Sequence, residues 1–223
     1  MMADGLITAV CKHCYDASRG LFAETPEKKV FSQHTNIFAI LTDALPEEKR
    51  KDLMIRILEN EDLIQCTVYF KFYLFRALQK SGMADAYPDH LGPWKTMLDL
   101  GLTTFAEREF DMRSDCHAWS ASPCFDLLHT VAGIQPAEPG FRSVLIEPAF
   151  GKLEYMKATF PHPGGVISMD LTRRGSDLSG TVKLPADLTG TFVWGGHRIK
   201  IPGGEKRINI RMKPSFTAIY KRP

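Results

Sequence analysis

Residues 134–148, IQPAEPGFRSVLIEP, separate two parts of the sequence that follow different hydrophobic periodicities. Before this stretch, apolar residues recur as on one face of an α-helix; after it, they recur at every second position, as on one face of a β-strand. The prolines and glycine of QPAEPG interrupt both patterns and indicate a connection. The change predicts a helical domain at residues 1–134, followed by a C-terminal antiparallel β-sandwich domain at residues 135–223.

The C-terminal part contains eight short apolar runs, each bounded by Gly, Pro, Asp or Asn. Runs of this length that alternate with turn residues are typical of antiparallel strands in a sandwich. The runs lie at residues 143–150, 155–163, 165–174, 179–185, 190–195, 197–203, 206–212 and 216–221.

The N-terminal part contains six segments with helical periodicity, which predict three αα-hairpins. Ser32 is a suitable N-cap for the second helix, and Pro46 suits the first turn of the third. Pro93 predicts a kink or a break in the fifth helix. The fourth helix carries five aromatic residues between Tyr69 and Phe75, and we expect it to be buried nearly all round. The predicted helices span about residues 4–19, 32–45, 46–60, 63–81, 84–100 and 120–133.

The composition is that of a globular protein, with 44% hydrophobic and 24% charged residues. The formal net charge is only +2, and Lys and Arg are spread along the chain. Neither a nucleic-acid-binding surface nor a membrane-binding stripe is therefore indicated, and no nucleic acid or membrane partner is expected.

Five cysteines, an odd number, indicate reduced thiols rather than a disulfide framework. The sequence begins with neither the basic start nor the apolar run of a signal peptide. We expect this chain to be a piece cut from a larger fold, and the parent could be secreted or periplasmic. The sequence leaves the compartment open.

The loop predicted between the fifth and sixth helices, residues 101–123, has the composition of a functional site. It reads GLTTFAEREFDMRSDCHAWSASP and has no helical periodicity. Connections between packed helices usually need only ~2–8 residues. The loop is rich in charged side chains, yet its regular apolar residues argue against disorder.

Glu107 is the first catalytic candidate in this loop. A carboxylate near His117 and Trp119 suits acid–base chemistry on a sugar, because Trp offers a flat apolar face and His hydrogen-bonds hydroxyl groups. Glu109 and Asp111 are alternatives that the composition does not separate from Glu107, and a solvated loop carboxylate is the structural alternative. His34, near the start of the second helix, could face a pocket or serve in capping or packing.

Metal and thiol chemistry find little support in the sequence. His117 and Cys116 have no further Cys or His at zinc-ligand spacing, and Cys–His pairs meet in space rather than in sequence. Cys11 and Cys14 match a CxxC motif, but they lie in a predicted helix with no strand before it. We expect no metal and no cofactor.

Five segments of the sequence resemble the C-terminal portion of bacterial α-L-rhamnosidases, a family of inverting glycoside hydrolases. They cover nearly the whole chain in the family's order, and TTFAE followed by RSDCHAWSA is the most specific part. The chain differs from many members in having Ala106, rather than Trp, directly before Glu107. The segments are FAETPEKKVFSQHTN (22–36), YFKFYLFRALQKSG (69–82), WKTMLDLGLTTFAE (94–107), RSDCHAWSASP (113–123) and GIQPAEPGFRSVLIEP (133–148).

The resemblance implies the second half of an (α/α)6 barrel followed by the family's C-terminal β-sandwich. It implies that Glu107 is the general base that activates water and that His117 contacts the sugar; Trp119 and His34 are further substrate-binding candidates. It also implies that the general acid lies in the first half of the barrel, outside this chain. The chain by itself is then expected to be inactive and to associate with itself through uncovered helix faces.

Two other functions remain open at this point. A non-catalytic carbohydrate-binding or scaffold module would use the same helices and sandwich without hydrolysis. Another six-hairpin glycosidase or phosphorylase would keep the barrel and change the sugar. The expected partner in every case is a carbohydrate. For an α-L-rhamnosidase it is a rhamnosyl glycoside.

Overall fold

The computed structural model describes residues 2–211, and the apolar run at residues 216–221 lies outside them. The chain divides into two compact units, with the division between Val131 and Ala132. The first unit is helical and the second is built from β-strands, so the predicted order of helices before strands is confirmed. The predicted domain boundary between residues 134 and 135 lies close to this division and stays a prediction.

Six α-helices form the first unit. The Ser32 hydroxyl accepts a hydrogen bond from Thr35 N at 3.2 Å, which confirms Ser32 as the N-cap of α2. α2 packs against both α3 and α4. The helices are α1 (Met2–Cys14), α2 (Gln33–Leu41), α3 (Glu47–Glu59), α4 (Lys71–Lys80), α5 (Gly92–Asp99) and α6 (Ser122–Asp126).

The first helix ends earlier than the sequence predicts. Tyr15–Asp16 (β1) pairs with Leu21–Phe22 (β2) in a short antiparallel ladder, and the Asp16 carboxylate accepts a hydrogen bond from Ser18 N at 2.9 Å. This local turn competes with the helix for the same backbone groups. No residue of α1 is buried, so its predicted apolar face is not part of the core.

The fourth helix also differs from its prediction, because it begins at Lys71 rather than near Leu63. The segment before it is held extended by Gln33, whose amide oxygen accepts from Cys66 N at 2.9 Å and whose amide nitrogen donates to Ile57 O at 3.0 Å. These tertiary hydrogen bonds override the helical periodicity. The prediction of burial all round was wrong as well: Phe75 is buried, whereas Tyr69 is 45% exposed.

The fifth predicted helix is two pieces, as Pro93 indicated. A 3₁₀ segment, Ala84–His90, precedes α5, and Pro93 lies in the first turn of α5. The sixth is short, and a turn of π-helix, Leu127–Val131, continues α6. Within residues 2–211, no helix is both long and apolar enough to span a bilayer.

Two four-stranded sheets make up the described part of the second unit, residues 132–211. One has the order β10–β7–β6–β5 and is antiparallel throughout; the other has the order β3–β4–β8–β9, in which β4 and β8 are parallel. The parallel pair departs from the fully antiparallel prediction, because the strands β5–β7 of the other sheet lie between β4 and β8 in the chain. The strands are β3 (Ile134–Pro136), β4 (Ser143–Ile146), β5 (Tyr155–His162), β6 (Gly165–Arg174), β7 (Asp177–Leu184), β8 (Thr189–Trp194), β9 (His197–Ile201) and β10 (Gly204–Ile210).

The core of the β unit is built from the apolar residues that recur at every second position of the sequence. Ile167, Met169 and Leu171 of β6 are buried while their neighbours are partly exposed. Gly190 of β8 allows the sheets to approach closely, since a Cβ there would lie 3.2 Å from Leu184 of β7. Within the described part of the β unit, the sequence pattern did not predict β3, which is three residues long, ends in proline and lies at a sheet edge.

Candidate active site

Residues 101–123, here called the Glu107 loop, fold back on themselves through two backbone hydrogen bonds. Glu107 N donates to Ser114 O at 2.9 Å, and His117 N donates to Phe105 O at 2.6 Å. Glu107 and His117 are ten residues apart in sequence, but these bonds set them in paired segments. The loop therefore brings together two of the candidate site residues.

The carboxylate of Glu107 is held by the guanidinium of Arg113. Arg113 Nε donates to Oε2 of Glu107 at 3.0 Å, and Arg113 Nη2 donates to Oε1 in a second, short hydrogen bond. The side chain of Glu107 is 9% exposed and that of Arg113 is 74% exposed. The pair is thus bidentate, with the arginine on the solvent side.

This environment lowers the pKa of Glu107 below its ordinary value of 4.5. The hydrogen bond from Arg113 is the largest cause; removal of the carboxyl from water acts in the opposite direction, and the charges of Arg113, His117 and Arg108 lower the pKa further. Glu107 is consequently ionised at neutral pH, as a general base must be.

Glu109 and Asp111 are the alternative acids of the loop, and Arg113 binds neither of them in the hydrogen bonds described above. Asp111 is 95% exposed on its side chain and accepts a hydrogen bond from Arg108 Nη2 at 3.2 Å. Its backbone φ of 48° is in the left-handed region, which Asp tolerates in turns. Glu109 is half-buried. The hydrogen bond from Arg108 and the left-handed backbone conformation together identify Asp111 as a turn residue.

His117 and Trp119, on the same loop as Glu107, form a ring pair. Their ring centroids are 4.2 Å apart, and the ring centroid of Tyr69 lies 5.5 Å from that of Trp119. Trp119 is 47% exposed, and Nδ1 of His117 is buried without a hydrogen-bond partner among residues 2–211. A buried polar atom without a partner costs about 1–3 kcal/mol, which favours a ligand or another protein group as its partner.

His34 reaches the same region through aromatic neighbours. Its ring packs 4.3 Å from Phe70, which packs 5.0 Å from Tyr73, and Tyr73 contacts Tyr69 at 6.3 Å. Phe38 packs against Phe70 and is 43% exposed. Phe72, Phe125 and His129 extend this ring network through Tyr73. Seven of its members are here called the aromatic surface: His34, Phe38, Tyr69, Phe70, Tyr73, His117 and Trp119.

Arg113 and Tyr69 were not among the site residues predicted from the sequence, although Arg113 binds Glu107 and Tyr69 contacts Trp119. Arg113 was within the quoted loop, but nothing in the spacing of Glu107 and Arg113 tells which acid the arginine binds. Tyr69 was expected within a buried helix, but it lies two residues before the start of α4 and is 45% exposed. The placement of Glu107, His117, Trp119 and His34 is compatible with their proposed roles, which stay predictions.

A second charged group lies in the interior of the helical unit. Arg76 donates to Asp126 Oδ1 and to Thr130 Oγ1 in short hydrogen bonds and to His129 Nδ1 at 2.6 Å. We call Arg76, Asp126, His129 and Thr130 the Arg76 cluster. Burial raises the pKa of Asp126 to about 6, and burial together with the charge of Arg76 lowers the pKa of His129 to about 4. Because the Asp126 side chain is fully buried, it cannot reach a substrate.

A groove of about 430 Å³ is lined in part by Thr103, Thr104 and Phe105 of the Glu107 loop, but by none of the charged groups of that loop. Its lining is almost entirely apolar and includes Trp94, Met97 and Phe105. Neither Glu107 nor His117 contributes to it. The candidate site is therefore the exposed side of the loop rather than this groove.

Residues 133–207 match the family model of the bacterial α-L-rhamnosidase C-terminal domain. The structure is similar to the GH78 family rhamnosidase of Bacillus sp. GL1, with a TM-score of 0.76 and 21% identity over 85% of this chain and 22% of that protein. It is similar to the α-L-rhamnosidase of Streptomyces avermitilis, solved with L-rhamnose, with a TM-score of 0.75 and 21% identity over 94% of this chain and 23% of that protein.

A third similar structure is the α-L-rhamnosidase of Aspergillus terreus, with a TM-score of 0.70 and 24% identity over 81% of this chain and 24% of that protein. The chain thus spans less than a quarter of the length of each of these three proteins. No curated protein is similar enough to this chain to give a match.

These comparisons confirm the resemblance that the sequence motifs indicated. Residues 133–207 are similar to the bacterial α-L-rhamnosidase C-terminal domain, and over most of its length the chain has the fold of the corresponding part of the α-L-rhamnosidases.

Proposed function

We propose that this chain supplies one wall of the active site of a glycoside hydrolase that removes terminal α-L-rhamnose with inversion. The observation that carries the proposal is the arrangement of Glu107, His117 and Trp119, a carboxylate beside a histidine and an exposed indole on one loop. The fold agrees with such an enzyme, and one protein of this fold was solved with L-rhamnose. That ligand supports a carbohydrate as the partner of this chain.

In this proposal Glu107 is the general base. Its ionised carboxylate accepts a proton from a water molecule while the water oxygen attacks the anomeric carbon. Attack from the face opposite to the leaving group forms the new C–O bond as the glycosidic bond breaks, which inverts the configuration. The lowered pKa keeps Glu107 ready to accept this proton at neutral and mildly acidic pH.

The sugar would rest against Trp119, with His117 and His34 as hydrogen-bonding partners. Trp119 has nearly half of its surface free, and its ring contacts those of Tyr69 and His117. Ala106, before the proposed base, is fully buried and offers no wall to a sugar. Trp119 is therefore the better candidate for the aromatic wall.

The reaction needs a second carboxyl group, which protonates the leaving oxygen from about 6.5–9.5 Å away. Asp126 has the raised pKa of a general acid, but its complete burial beside Arg76 excludes that role. We propose that the acid belongs to another part of the parent protein and that this chain alone is inactive.

The chain is also proposed to associate with itself, most simply as a dimer. Within residues 2–211 the aromatic surface and Leu98, which is 72% exposed, present apolar area that a monomer normally covers. A single monomeric species in light scattering at micromolar concentration would contradict this part of the proposal.

The test is Glu107→Gln in the full-length protein, assayed on p-nitrophenyl α-L-rhamnoside. Loss of a general base lowers kcat by about 10²–10⁴-fold, whereas Glu109→Gln in the same loop is expected to change kcat little. NMR of the first-formed rhamnose anomer tests inversion. Equal activity of Glu107→Gln and the unsubstituted protein would refute the assignment.

Two further results separate the alternatives. Rhamnoside binding without hydrolysis by the unsubstituted full-length protein would favour a carbohydrate-binding or scaffold module. Turnover of another glycoside, or phosphate-dependent cleavage, with no action on rhamnosides would favour another six-hairpin glycosidase or phosphorylase. Turnover by the 223-residue chain that disappears in Glu107→Gln would overturn the proposal that the chain alone is inactive.

A further inference from the structure

We propose that Arg113 is a positioning residue that fixes the orientation of the Glu107 carboxylate for its reaction with water. The inference rests on the proposed role of Glu107 as general base. Nothing in the spacing of the two residues indicated the pairing, and it follows from the contact between their side chains.

The contact is bidentate, which is why it fixes an orientation. Nε and Nη2 of Arg113 donate to different oxygens of the Glu107 carboxylate. The two parallel hydrogen bonds bring the guanidinium and carboxylate planes together, so they fix the last torsion of the glutamate, which is otherwise broad. A lysine at the same place would supply charge without this fork.

The backbone supports the same contact. The hydrogen bond from Glu107 N to Ser114 O sets residue 113 beside Glu107 across the fold of the loop. Because Glu107 is 9% exposed and Arg113 is 74% exposed on their side chains, the guanidinium covers the carboxylate from the solvent. The arrangement limits the directions from which water reaches Glu107.

The contact leaves Glu107 able to act as a base. Each carboxylate oxygen has two lone pairs, and Arg113 occupies one on each oxygen. The remaining lone pair on either oxygen can accept the proton of the attacking water. Arg113 therefore does not have to leave before the reaction.

Among the described residues, three basic side chains lower the pKa of Glu107: Arg113, His117 and Arg108. Arg113 has the largest effect on this pKa. His117 and Arg108 act through charge alone, and Arg108 is the weakest of the three. Arg108 is itself bound to Asp111, through Nε to the backbone oxygen at 2.8 Å and through Nη2 to the carboxylate. The charge of Asp111 also acts on Arg113. Arg108 is thus a matched control, an arginine of the same loop with a different carboxylate partner.

The first experiment measures the pKa of Glu107 in the 223-residue chain, from the pH dependence of its ¹³Cδ chemical shift. Assignment uses Glu107→Gln. Arg113→Gln is expected to raise this pKa towards its ordinary value, because the largest lowering influence is removed. Arg113→Lys should raise it less, and Arg108→Gln should raise it least. An unchanged pKa in Arg113→Gln would overturn the inference.

The second experiment measures kcat and KM against pH in the full-length protein. In Arg113→Gln the acidic limb of kcat/KM moves to higher pH, and kcat on its plateau falls on the order of 10–100-fold, since a misplaced catalytic group can cost about 10²-fold. Arg113→Lys should keep an acidic limb closer to that of the unsubstituted protein but share much of the loss in kcat. KM should change little in both.

The outcomes separate this inference from the proposed function. If Glu107→Gln retains full activity, the role of Glu107 fails, and the role of Arg113 fails with it. If Glu107→Gln is inactive while Arg113→Gln keeps its plateau kcat, only the inference about Arg113 fails. A loss of kcat equal in Arg113→Gln and Arg108→Gln would indicate general disturbance of the loop and would also overturn it.

Discussion

Two of the arginine–carboxylate pairs in the helical unit lie in opposite environments. Arg113 and Glu107 meet on a loop with the arginine in solvent, whereas Arg76 and Asp126 meet in the interior, where Asp126 is completely buried. The pKa of Glu107 is lowered, and the pKa of Asp126 is raised to about 6. The arginine lowers the carboxyl pKa in both pairs, yet the net shift is downward for Glu107 and upward for Asp126.

The difference comes from the balance between desolvation and hydrogen bonding. For Glu107 the hydrogen bond from Arg113 is stronger than the penalty of partial burial, so the ion is favoured. For Asp126 burial is the largest influence, and the charge of Arg76 and the hydrogen bond with Thr130 do not offset it. The exposed pair suits a reacting group, and the buried pair suits a structural role beneath it.

The strongest test of this contrast is Arg76→Leu. Removing one partner of a buried ion pair leaves the other uncompensated, and we expect unfolding free energy to fall by about 3–5 kcal/mol. Urea denaturation of the 223-residue chain, followed by circular dichroism, measures this change. Arg50→Leu is the control, because its partner Asp43 is 56% exposed and such pairs contribute less than about 1 kcal/mol.

The double variant Arg76→Leu/Asp126→Leu sharpens the result. In Arg76→Leu the carboxylate of Asp126 has no opposite charge beside it, and the second substitution removes that carboxylate. The double variant should therefore recover much of the stability lost in Arg76→Leu alone. A double variant that is as unstable as the sum of the two single variants would show that the pair matters through its packing rather than its charge.

The buried pair also predicts two opposite pH dependences. Asp126 in the folded protein has a pKa of about 6 against an ordinary 3.8, so its stabilising contribution is present near pH 4 and is lost as the pH rises through 6. His129 has a pKa of about 4 against 6.5, so its contribution is present above pH 6.5 and is lost as the pH falls through 4.

The two contributions oppose each other in the unsubstituted chain, and single variants should uncover them. Between pH 4 and 6, the unfolding free energy of His129→Asn should fall with rising pH relative to the unsubstituted chain, and that of Asp126→Asn should rise. Urea midpoints at pH 4, 5 and 6 provide the comparison. Identical slopes in all three proteins would contradict the assigned protonation of the Arg76 cluster.

The smallest effect is expected for Arg113→Gln on stability. Arg113 is 74% exposed and itself covers the Glu107 carboxylate, so water can take its place when it is removed. The thermal midpoint should therefore stay close to that of the unsubstituted chain while the pKa of Glu107 changes. A destabilisation as large as that of Arg76→Leu would remove the contrast between the pairs, since it would make Arg113 a structural residue.

The local signals in the sequence predicted much of the fold. Ser32 was recognised as an N-cap, and the period-two runs located the strands from β4 to β10, because capping and sheet alternation depend on neighbouring residues. The fourth helix was predicted too long because Gln33, some 30 residues away, binds the backbone of Cys66 and holds that segment extended. No local pattern records such a bond.

The sequence by itself determined the order of helices before strands, the family resemblance and the loop in which Glu107, His117 and Trp119 lie. Only the tertiary structure decided that Arg113, rather than Arg108, binds Glu107, and that Asp126 is buried beside Arg76. The physical reason is that residue type specifies which charges and hydrogen bonds a side chain can offer. Its partner and its exposure to water depend on the path of the folded backbone, and these set the pKa of each carboxylate.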